Sequence, residues 1–394
     1  MTTTAPTTDP STDPGAPAPS GLPAVPGAAL LDTARALGPF LAERARVHDL
    51  DGTFVAEGFE RLRASGYLAS PVPVELGGGG ATTEEVAWAQ CELARHCGST
   101  ALASTMHLHV VLATAWRWRR GLPGAEGTLR KVAGGVVVAS TGGGDFTVPT
   151  GDARRVDGGY EVSARKAFVS GAPAAAVAST WAVTDDGEAI GFGVPLADPA
   201  VTLVETWDAP GMRGTASHDL VLDRLFVPDE QVTARRATGE FAPVLAILAA
   251  KALTVIAATY LGVAVGARDE VVTRTHGTAR ADDPGVRRSV GLMDHHLRSA
   301  RWTLDAALRE LGEDPEPSPE TFVAGTIVKR AVIEHARAVG DLAMDVLGGR
   351  GYRRGDPVER AWRDLRAGPF HPLDHELTLR VAGDHALGRA LGLR

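Results

Sequence analysis

The sequence is poor in cysteine and has no excess of positive charge. Cys91 and Cys97 are its only cysteines, so it has no disulfide framework, and their spacing is not that of a zinc site. Lys and Arg number 40 against 48 Asp and Glu, which gives a net charge of −8 at pH 7. Nucleic acids select clustered positive charge, so we expect no nucleic-acid partner. The low cysteine content fits a reducing compartment, and we predict a cytoplasmic protein.

Motifs of common nucleotide-binding and hydrolytic sites are also missing. No Gly-x-x-x-x-Gly-Lys-Ser/Thr segment occurs, and the glycine-rich turn at 348–351 follows a helical pattern rather than a strand, which excludes a dinucleotide-binding fingerprint. No Gly-x-Ser-x-Gly segment is present, so a serine-hydrolase elbow is excluded as well. His107 and His109 stand two residues apart and would not share a helix face, and we predict no metal site.

Two segments raise the question of a membrane span or a secretion signal. Residues 1–26 are rich in Pro and Thr and lack the basic and apolar regions of a signal peptide, so we predict a disordered tail. The run from Phe241 to Ala267 is apolar, with Lys251 as its only charge. Because a lysine in mid-bilayer is costly, we predict a buried helix of a bundle and no membrane contact.

The hydrophobic period changes twice along the chain and divides it into three regions. Residues 27–132 show helical spacing, and Thr82 with Glu85 forms a capping box that starts one helix. Short alternating runs separated by Gly, Pro and Asp turns in 133–236 indicate a small antiparallel barrel or sandwich, of which we take the barrel. Helical spacing returns in 237–394 and indicates a four-helix bundle. The predicted fold class is α+β with several domains.

Several segments, in this order along the chain, resemble the acyl-CoA dehydrogenase superfamily of flavoenzymes. The resemblance extends from about residue 27 to the C-terminus, and residues 211–228 match most closely. It implies three domains around a flavin, which would be FAD, or FMN or reduced flavin if the protein is a monooxygenase. The segments that carry it are GYLASPVPVELGGGGATTEE, CELARHCGSTALASTMH, VVVASTGGGD, KAFVSG, GMRGTASHDLVLDRLFVP and AMDVLGGRGYRRGDPVERAWRD.

The resemblance also assigns candidate binding residues. Hydroxyl groups and an aromatic ring on two predicted strands suit the polar edge and the flat face of a flavin. The glycines would let the backbone of one subunit approach the flavin of another. The predicted flavin contacts are Ser140, Thr141, Phe168, Ser170, Arg274, Gly348, Gly349 and Gly351, and the predicted substrate contacts are Arg213 and His375.

The carboxylate that serves the family as catalytic base is missing from this sequence. Counting from Asp364 places the usual glutamate at Pro372, and the position used by a minority of the family falls on Ala252. His371 precedes the missing base and resembles a histidine of the reduced-flavin-dependent monooxygenases, although an imidazole is also a suitable base. His107 is a second catalytic candidate.

These observations leave three hypotheses for the reaction. The first is α,β-dehydrogenation of an acyl thioester with a displaced or histidine base. The second is a two-component monooxygenase that oxidises carbon, nitrogen or sulfur, and the third is a degenerate member that binds flavin or an acyl carrier without turnover. The predicted partners are acyl-CoA or another small molecule, an electron-transfer protein or flavin reductase, and further copies of the chain in a homotetramer or homodimer.

Overall fold

The first third of the chain is helical. The computed structural model describes residues 28–393, so the predicted tail at 1–26 lies outside the described residues. The predicted capping box is present, because Thr82 Oγ1 accepts from Glu85 N at 3.2 Å while Glu85 Oε2 accepts from Thr82 N at 2.8 Å. The helices are α1 Ala28–Asp51, α2 Ala56–Ala64, α3 Thr83–His96, α4 Gly98–Arg119 and α5 Ala125–Ala133.

The middle region forms one eight-stranded sheet with a short helix, α6, at Gly144–Thr147. The strands are β1 Val138–Ser140, β2 Asp152–Val156, β3 Gly159–Val169, β4 Val177–Thr184, β5 Glu188–Pro195, β6 Val201–Val204, β7 His218–Pro228 and β8 Ala234–Ala237. Their order is β6-β7-β3-β2-β4-β5-β8, and β1 pairs with β4. The predicted turn at Asp185–Gly187 joins β4 and β5 as an antiparallel hairpin.

The predicted antiparallel barrel is not confirmed. A barrel closes only when its outermost strands pair with each other. Here β6 and β8 lie at opposite edges of the described sheet, and each is only four residues long. The sheet is also mixed, because β1 and β2 both run parallel to β4. The region is therefore an open, mixed sheet.

The last region returns to helices. They are α7 Pro243–Leu248, a π-helical turn at Ala249–Leu253, α8 Thr254–Thr275, α9 Pro284–Leu311, α10 Pro319–Leu347, α11 Pro357–Leu365 and α12 His375–Ala386. Ser318 caps α10 and Pro319 opens it, as the sequence predicts. The last helix ends at Ala386.

The apolar run that suggested a membrane span is a core helix. The helical stretch Pro243–Thr275 has a mean hydropathy of 2.0 in its most apolar part, but 89% of that part is buried inside the protein. Lys251 is fully buried, and its Nζ donates to Thr83 Oγ1 and to the carbonyl of Glu313, each at 2.6 Å. The lysine therefore joins α3 to the connection before α10.

Two hydrophobic cores meet beside the sheet. One core is shared by the N-terminal and C-terminal helices and includes Leu93 and Tyr260. The other lies within the sheet around Val162 and Phe192. Ala175, in the connection between β3 and β4, packs against both cores, and β1 contacts α4 beside it. The domain boundaries given above stay a prediction, because packing runs across them.

Candidate functional site

A cavity of about 510 Å³ opens between the sheet and the helices, a size typical of small-molecule sites. One side, which we call the sheet wall, comprises Ser140, Thr141, Asp145, Phe168, Ser170 and Trp181. The other side, the helix wall, comprises His109, Leu248, Ala252, Ile256, His371 and Pro372. The cavity therefore brings together strand ends, two long helices and the loop after α11.

A buried ion pair supports the polar part of the sheet wall. Lys166 Nζ lies 2.8 Å from Asp145 Oδ1, and both side chains are almost fully buried. Thr141 Oγ1 donates to Asp145 and lies 3.0 Å from Thr180 Oγ1. Burial lowers the pKa of Lys166, while the Asp145 carboxylate opposes that shift. The pair thus fixes the orientation of a hydroxyl that faces the cavity.

The loop after β1 lies tightly against the end of β3. Gly142 N donates to the carbonyl of Ala167 at 3.1 Å, and a Cβ at position 142 would lie 2.5 Å from that oxygen, so only glycine fits. Phe168 has a φ of +60° and is 60% exposed. Its ring meets Trp207 edge to face, with centroids 6.2 Å apart. A side chain in this backbone conformation is strained, which is common where a strand end faces a ligand.

On the helix wall, His371 is held as a neutral imidazole. Its Nε2 lies 2.8 Å from the hydroxyl of Tyr260. Burial lowers the pKa of His371 to about 3, and the nearby Lys329 and His109 lower it further in the same direction. At pH 7 the ring therefore carries no charge, and as a base it is weak.

Both positions where the family places its catalytic carboxylate face the cavity, and neither holds an acid. Pro372 and Ala252 line the helix wall, as the residue counting implied. Among the described residues that line the cavity, Asp145 is the one carboxylate, and it is bound by Lys166 and by hydroxyls. No carboxylate of the described lining is free to take a proton from a substrate.

His109 lines the cavity, although the sequence analysis set it aside. Its Nε2 lies 3.1 Å from Ser140 Oγ, and its buried Nδ1 has no partner among the described residues. Burial lowers its pKa to about 4, with a further contribution from His107. The sequence did contain a signal for this difference. The two histidines are two residues apart on α4, so they lie on different faces of the helix, and only His109 faces the cavity.

His107 does not line the cavity, and both of its ring nitrogens bind backbone. Nε2 donates to the carbonyl of Leu68 at 2.9 Å, and Nδ1 accepts from Val138 N at 3.0 Å. Burial lowers its pKa to about 4. The ring ties α4 to β1, which favours a structural role, and the catalytic role of His107 stays a prediction.

The two predicted substrate contacts also lie outside the cavity lining. Arg213 Nε donates to the carbonyl of Asp49 at 2.7 Å, so it fastens the loop before β7 to α1. His375 begins α12, and its Nδ1 lies 3.8 Å from Glu334. Neither side chain reaches the cavity in this structure, because each is turned toward a neighbouring helix.

The remaining predicted flavin contacts are not among the residues that line the cavity. Arg274, at the end of α8, forms ion pairs with Glu270 and Asp356, each at 2.6 Å. Gly348 and Gly349 lie on an exposed turn after α10, and the buried Gly351 follows them. The contact of these residues with the flavin of another subunit stays a prediction.

Two arginines that line the cavity were not among the residues predicted from the sequence. They are Arg363 and Arg366. Arg363 binds both carboxylate oxygens of Asp49, at 2.9 and 2.6 Å, and also binds Glu359. Arg366 bonds to Asp341 on α10. Their charges are therefore compensated within the protein.

The lining suits the chemistry of a flavin. A flavin presents a flat ring system with a polar edge and needs aromatic or apolar faces beside a few hydrogen-bonding groups. The sheet wall supplies Phe168 and the hydroxyls of Ser140, Thr141 and Ser170. The unpartnered Nδ1 of His109 is a further buried polar atom on this cavity.

Comparison with known proteins agrees with this geometry. The acyl-CoA dehydrogenase N-terminal domain matches residues 28–118, and the acyl-CoA dehydrogenase C-terminal domain matches residues 254–374. The chain belongs to the acyl-CoA dehydrogenase superfamily. It is therefore a member of a family of flavin-dependent oxidoreductases and oxygenases.

Individual relatives divide between two reactions. The chain is 32% identical to L-evernosamine nitrososynthase from Micromonospora sp., over 93% of this chain and 91% of that protein. It is 31% identical to the putative acyl-CoA dehydrogenase YdbM of Bacillus subtilis, over 87% of this chain and 92% of that protein. The structure of KijD3 in complex with FMN and dTDP-3-amino-2,3,6-trideoxy-4-keto-3-methyl-D-glucose superposes with a TM-score of 0.85 at 30% identity, covering 94% of this chain and 96% of that one. The relatives as a group favour the oxygenase hypothesis over dehydrogenation, which was the main prediction.

Proposed function

We propose that the protein is a flavin-dependent monooxygenase that oxidises the amino nitrogen of a nucleotide-linked sugar. The observation that carries this proposal is the helix wall, where Pro372 and Ala252 occupy both family positions of the catalytic carboxylate. A dehydrogenase must remove a carbon-bound proton, and His371, with a pKa of about 3, is a poor base for that step. The nitrososynthase relative and the amino sugar nucleotide bound to KijD3 support nitrogen as the oxidised atom.

The proposed reaction needs no base for a carbon-bound proton. Oxygenation of an amine forms an N–O bond and breaks the O–O bond of O₂, and it gives a hydroxylamine and one water. The balance requires two electrons and two protons. A reduced flavin bound in the cavity would supply both electrons. The chain's own residues then have to hold the amine, keep it uncharged and exclude water.

The helix wall is suited to keeping an amine uncharged. An amine reacts through its lone pair, so its ammonium form is unreactive. Burial beside apolar groups such as Ile256 lowers the pKa of an amine, whereas a free carboxylate would raise it. His371 and His109, both neutral at pH 7, offer hydrogen bonds without negative charge. The proposed reaction therefore explains why this wall lacks a carboxylate: a carboxylate would favour the unreactive ammonium form of the substrate.

The sheet wall would hold the flavin. Ser140, Thr141 and Ser170 would bind its polar edge, and Phe168 with Trp207 would contact its ring system. We propose FMN, because the KijD3 complex contains FMN. A flavin reductase as partner belongs to the same proposal, since reduced flavin has to be delivered.

Self-assembly and location are further parts of the proposal. The turn at Gly348–Arg350 is exposed, and the neighbouring Tyr352 is 75% exposed, which supports contact with another copy in a homodimer or homotetramer. The cytoplasmic location stays a prediction from composition.

Oxygen uptake tests the proposed reaction. The protein is mixed with reduced FMN and the dTDP-linked amino sugar named above, and oxygen consumption and product mass are followed. We expect substrate-dependent uptake of O₂ and a product with one added oxygen atom on nitrogen. In parallel, protein loaded with oxidised flavin is titrated with acyl-CoA esters under argon. Bleaching of the flavin by an acyl-CoA would overturn the proposal in favour of dehydrogenation. Failure to bind flavin in either redox state would exclude both enzymatic hypotheses and leave a protein that binds an acyl carrier without turnover.

A further inference from the structure

Lys329 is a buried cation next to the proposed site that the function described above does not use. It lies on α10 and is fully buried. Its Nζ donates to the carbonyl of His371 at 2.7 Å and to the carbonyl of Leu373 at 2.5 Å. These two carbonyls flank Pro372, which lines the cavity. One ammonium group thus binds the backbone on both sides of the position where a catalytic acid is missing.

A second contact holds the same short segment through the side chain of His371. The hydroxyl of Tyr260, on α8, lies 2.8 Å from His371 Nε2. Pro372 has no backbone N–H and cannot donate a hydrogen bond within the loop. The orientation of the His371 ring therefore depends on two side chains from two different helices, one at the backbone and one at the imidazole.

The charge of Lys329 also acts on this ring. Burial lowers the pKa of Lys329 to about 8, Asp374 opposes that shift, and Arg330 adds to it. The groups that face it are thus Asp374 and His371 on the loop, Arg330 on α10, and His375 at the start of α12, whose pKa Lys329 also lowers. A neutral lysine still has two N–H donors for two carbonyls, so loss of its proton removes the charge but not the hydrogen bonds.

We propose that Lys329 is a positioning residue of the active site: its two backbone hydrogen bonds hold His371 against Tyr260, and its ammonium group lies beside that ring. This inference rests on the proposed function, because it assumes that His371 serves the reaction. Arginine would be a poor replacement, since its planar guanidinium is larger than the ammonium group that this fully buried site holds.

Substitution of Lys329 tests the proposal, with a second buried lysine as matched control. Lys329→Met removes both hydrogen bonds and the charge, and Lys329→Gln keeps two N–H donors without the charge. Lys251→Met removes an equally buried lysine that binds Thr83 and Glu313 instead of the loop. Any general effect of losing a buried cation is shared by the Lys251 variant.

The first readout does not depend on turnover. The ring of His371 is titrated by NMR in protein with isotope-labelled histidine, and its signal is assigned with His371→Gln. We expect both Lys329 variants to raise the pKa of His371 by about one unit or more, because a nearby positive charge is lost. Lys251→Met should leave that pKa unchanged. An unchanged His371 pKa in both Lys329 variants would overturn the proposal.

The second readout separates positioning from stability. Loss of an aligned group reduces kcat by roughly 100-fold, so we expect that fall in Lys329→Met with KM and flavin affinity unchanged. Lys329→Gln should recover part of kcat, since it retains donors for the loop. If Lys329→Met does not fold, kcat is compared between Lys329→Gln and the wild-type protein. Equal losses of kcat in Lys329→Gln and Lys251→Met would overturn the proposal, whereas a wild-type protein without oxygen uptake would overturn only the proposed function.

Discussion

The sheet wall and the helix wall of the cavity differ in the charged groups that they contain. The sheet wall contains a buried ion pair, Asp145 with Lys166, directly behind a row of hydroxyl groups. The six residues of the helix wall expose apolar side chains and neutral imidazoles, and Pro372 and Ala252 occupy the two positions to which the family resemblance assigns an acid. Arg363 and Arg366, which also line the cavity, are paired with carboxylates. Polar cofactor contacts and an uncharged substrate surface are thus separated across one cavity.

The difference shows that the reaction cannot be inferred from the sheet wall alone. Hydroxyls at strand ends suit a flavin in a dehydrogenase and in an oxygenase alike, because both reactions need the same ring system to be held. The helix wall decides between the reactions, since it determines which protons can be removed. Changes on the two walls should therefore affect different measurements.

The largest effect is expected on the helix wall, from His371→Gln. A positioned hydrogen-bonding group in a site that excludes water contributes roughly 10²- to 10³-fold, so kcat for oxygen transfer should fall by about that factor. Flavin affinity should change little, because the His371 ring bonds to Tyr260 and not to a hydroxyl of the sheet wall. Steady-state oxygen uptake and flavin titration measure the two quantities. The control is His295→Gln, which changes an exposed histidine on α9; a similar loss of kcat in that variant would remove His371 from the proposed site.

On the sheet wall, Asp145→Asn should reduce stability rather than kcat at saturating flavin. The substitution leaves Lys166 buried without its counter-charge, and breaking a buried pair in this way costs about 3 to 5 kcal/mol. Asp229→Asn is the matched control, because its pair with Arg155 is exposed to solvent, where ion pairs contribute little to stability. Urea denaturation measures both free energies of unfolding. Equal losses in the two variants would contradict the structural role assigned to the buried pair.

Much of the fold and part of the cavity could be predicted from the sequence, because these features depend on residues that are close together in the chain. Helical and alternating periods, the capping box at Thr82 and the turn at Asp185–Gly187 are decided by neighbouring residues. The strand-end hydroxyls could be placed because they lie in segments that resemble the family. Closure of the sheet could not, since it depends on whether β6 and β8 pair across the whole region.

The parts of the cavity that were missed depend on tertiary packing. Asp145 lies on a four-residue helix, and Trp207 lies in the connection between β6 and β7, so neither belongs to a periodic pattern. His109 could not be preferred over His107 until the rotation of α4 against the sheet was known. The placement of Arg274 and of the turn at 348–351 relative to a flavin involves a second copy of the chain.

Acid should destabilise the protein through the histidines near the cavity. His107, His109 and His371 have pKa values of about 4, 4 and 3 in the folded protein, below the ordinary 6.5. Between those values and 6.5 the unfolded chain binds more protons, so the free energy of unfolding falls as the pH falls through this window. From pH 7 to pH 5 each imidazole contributes about 2 kcal/mol to that loss.

One carboxyl group opposes the destabilisation by acid, and a single substitution measures the contribution of one histidine to it. Burial raises the pKa of Asp364 to about 6, so Asp364 favours the folded state as the pH falls below that value. In His109→Gln the difference between the unfolding free energies at pH 7 and pH 5 should shrink by about 2 kcal/mol. Urea denaturation at the two pH values measures it. An unchanged difference would show that His109 is not held neutral on the helix wall.

The smallest effect is expected from Ser170→Ala on the sheet wall. Ser170 Oγ lies 2.7 Å from Ser217 Oγ, and its hydroxyl is one of those proposed to bind the flavin edge. Loss of one neutral hydrogen bond costs about 1 kcal/mol, which corresponds to a roughly fivefold weaker flavin affinity. Thr202→Val, on an exposed position of β6, serves as control for the loss of a hydroxyl. If Ser170→Ala lowered kcat at saturating flavin while leaving flavin affinity intact, the sheet wall would take part in the chemistry, and the division of labour between the two walls would be wrong.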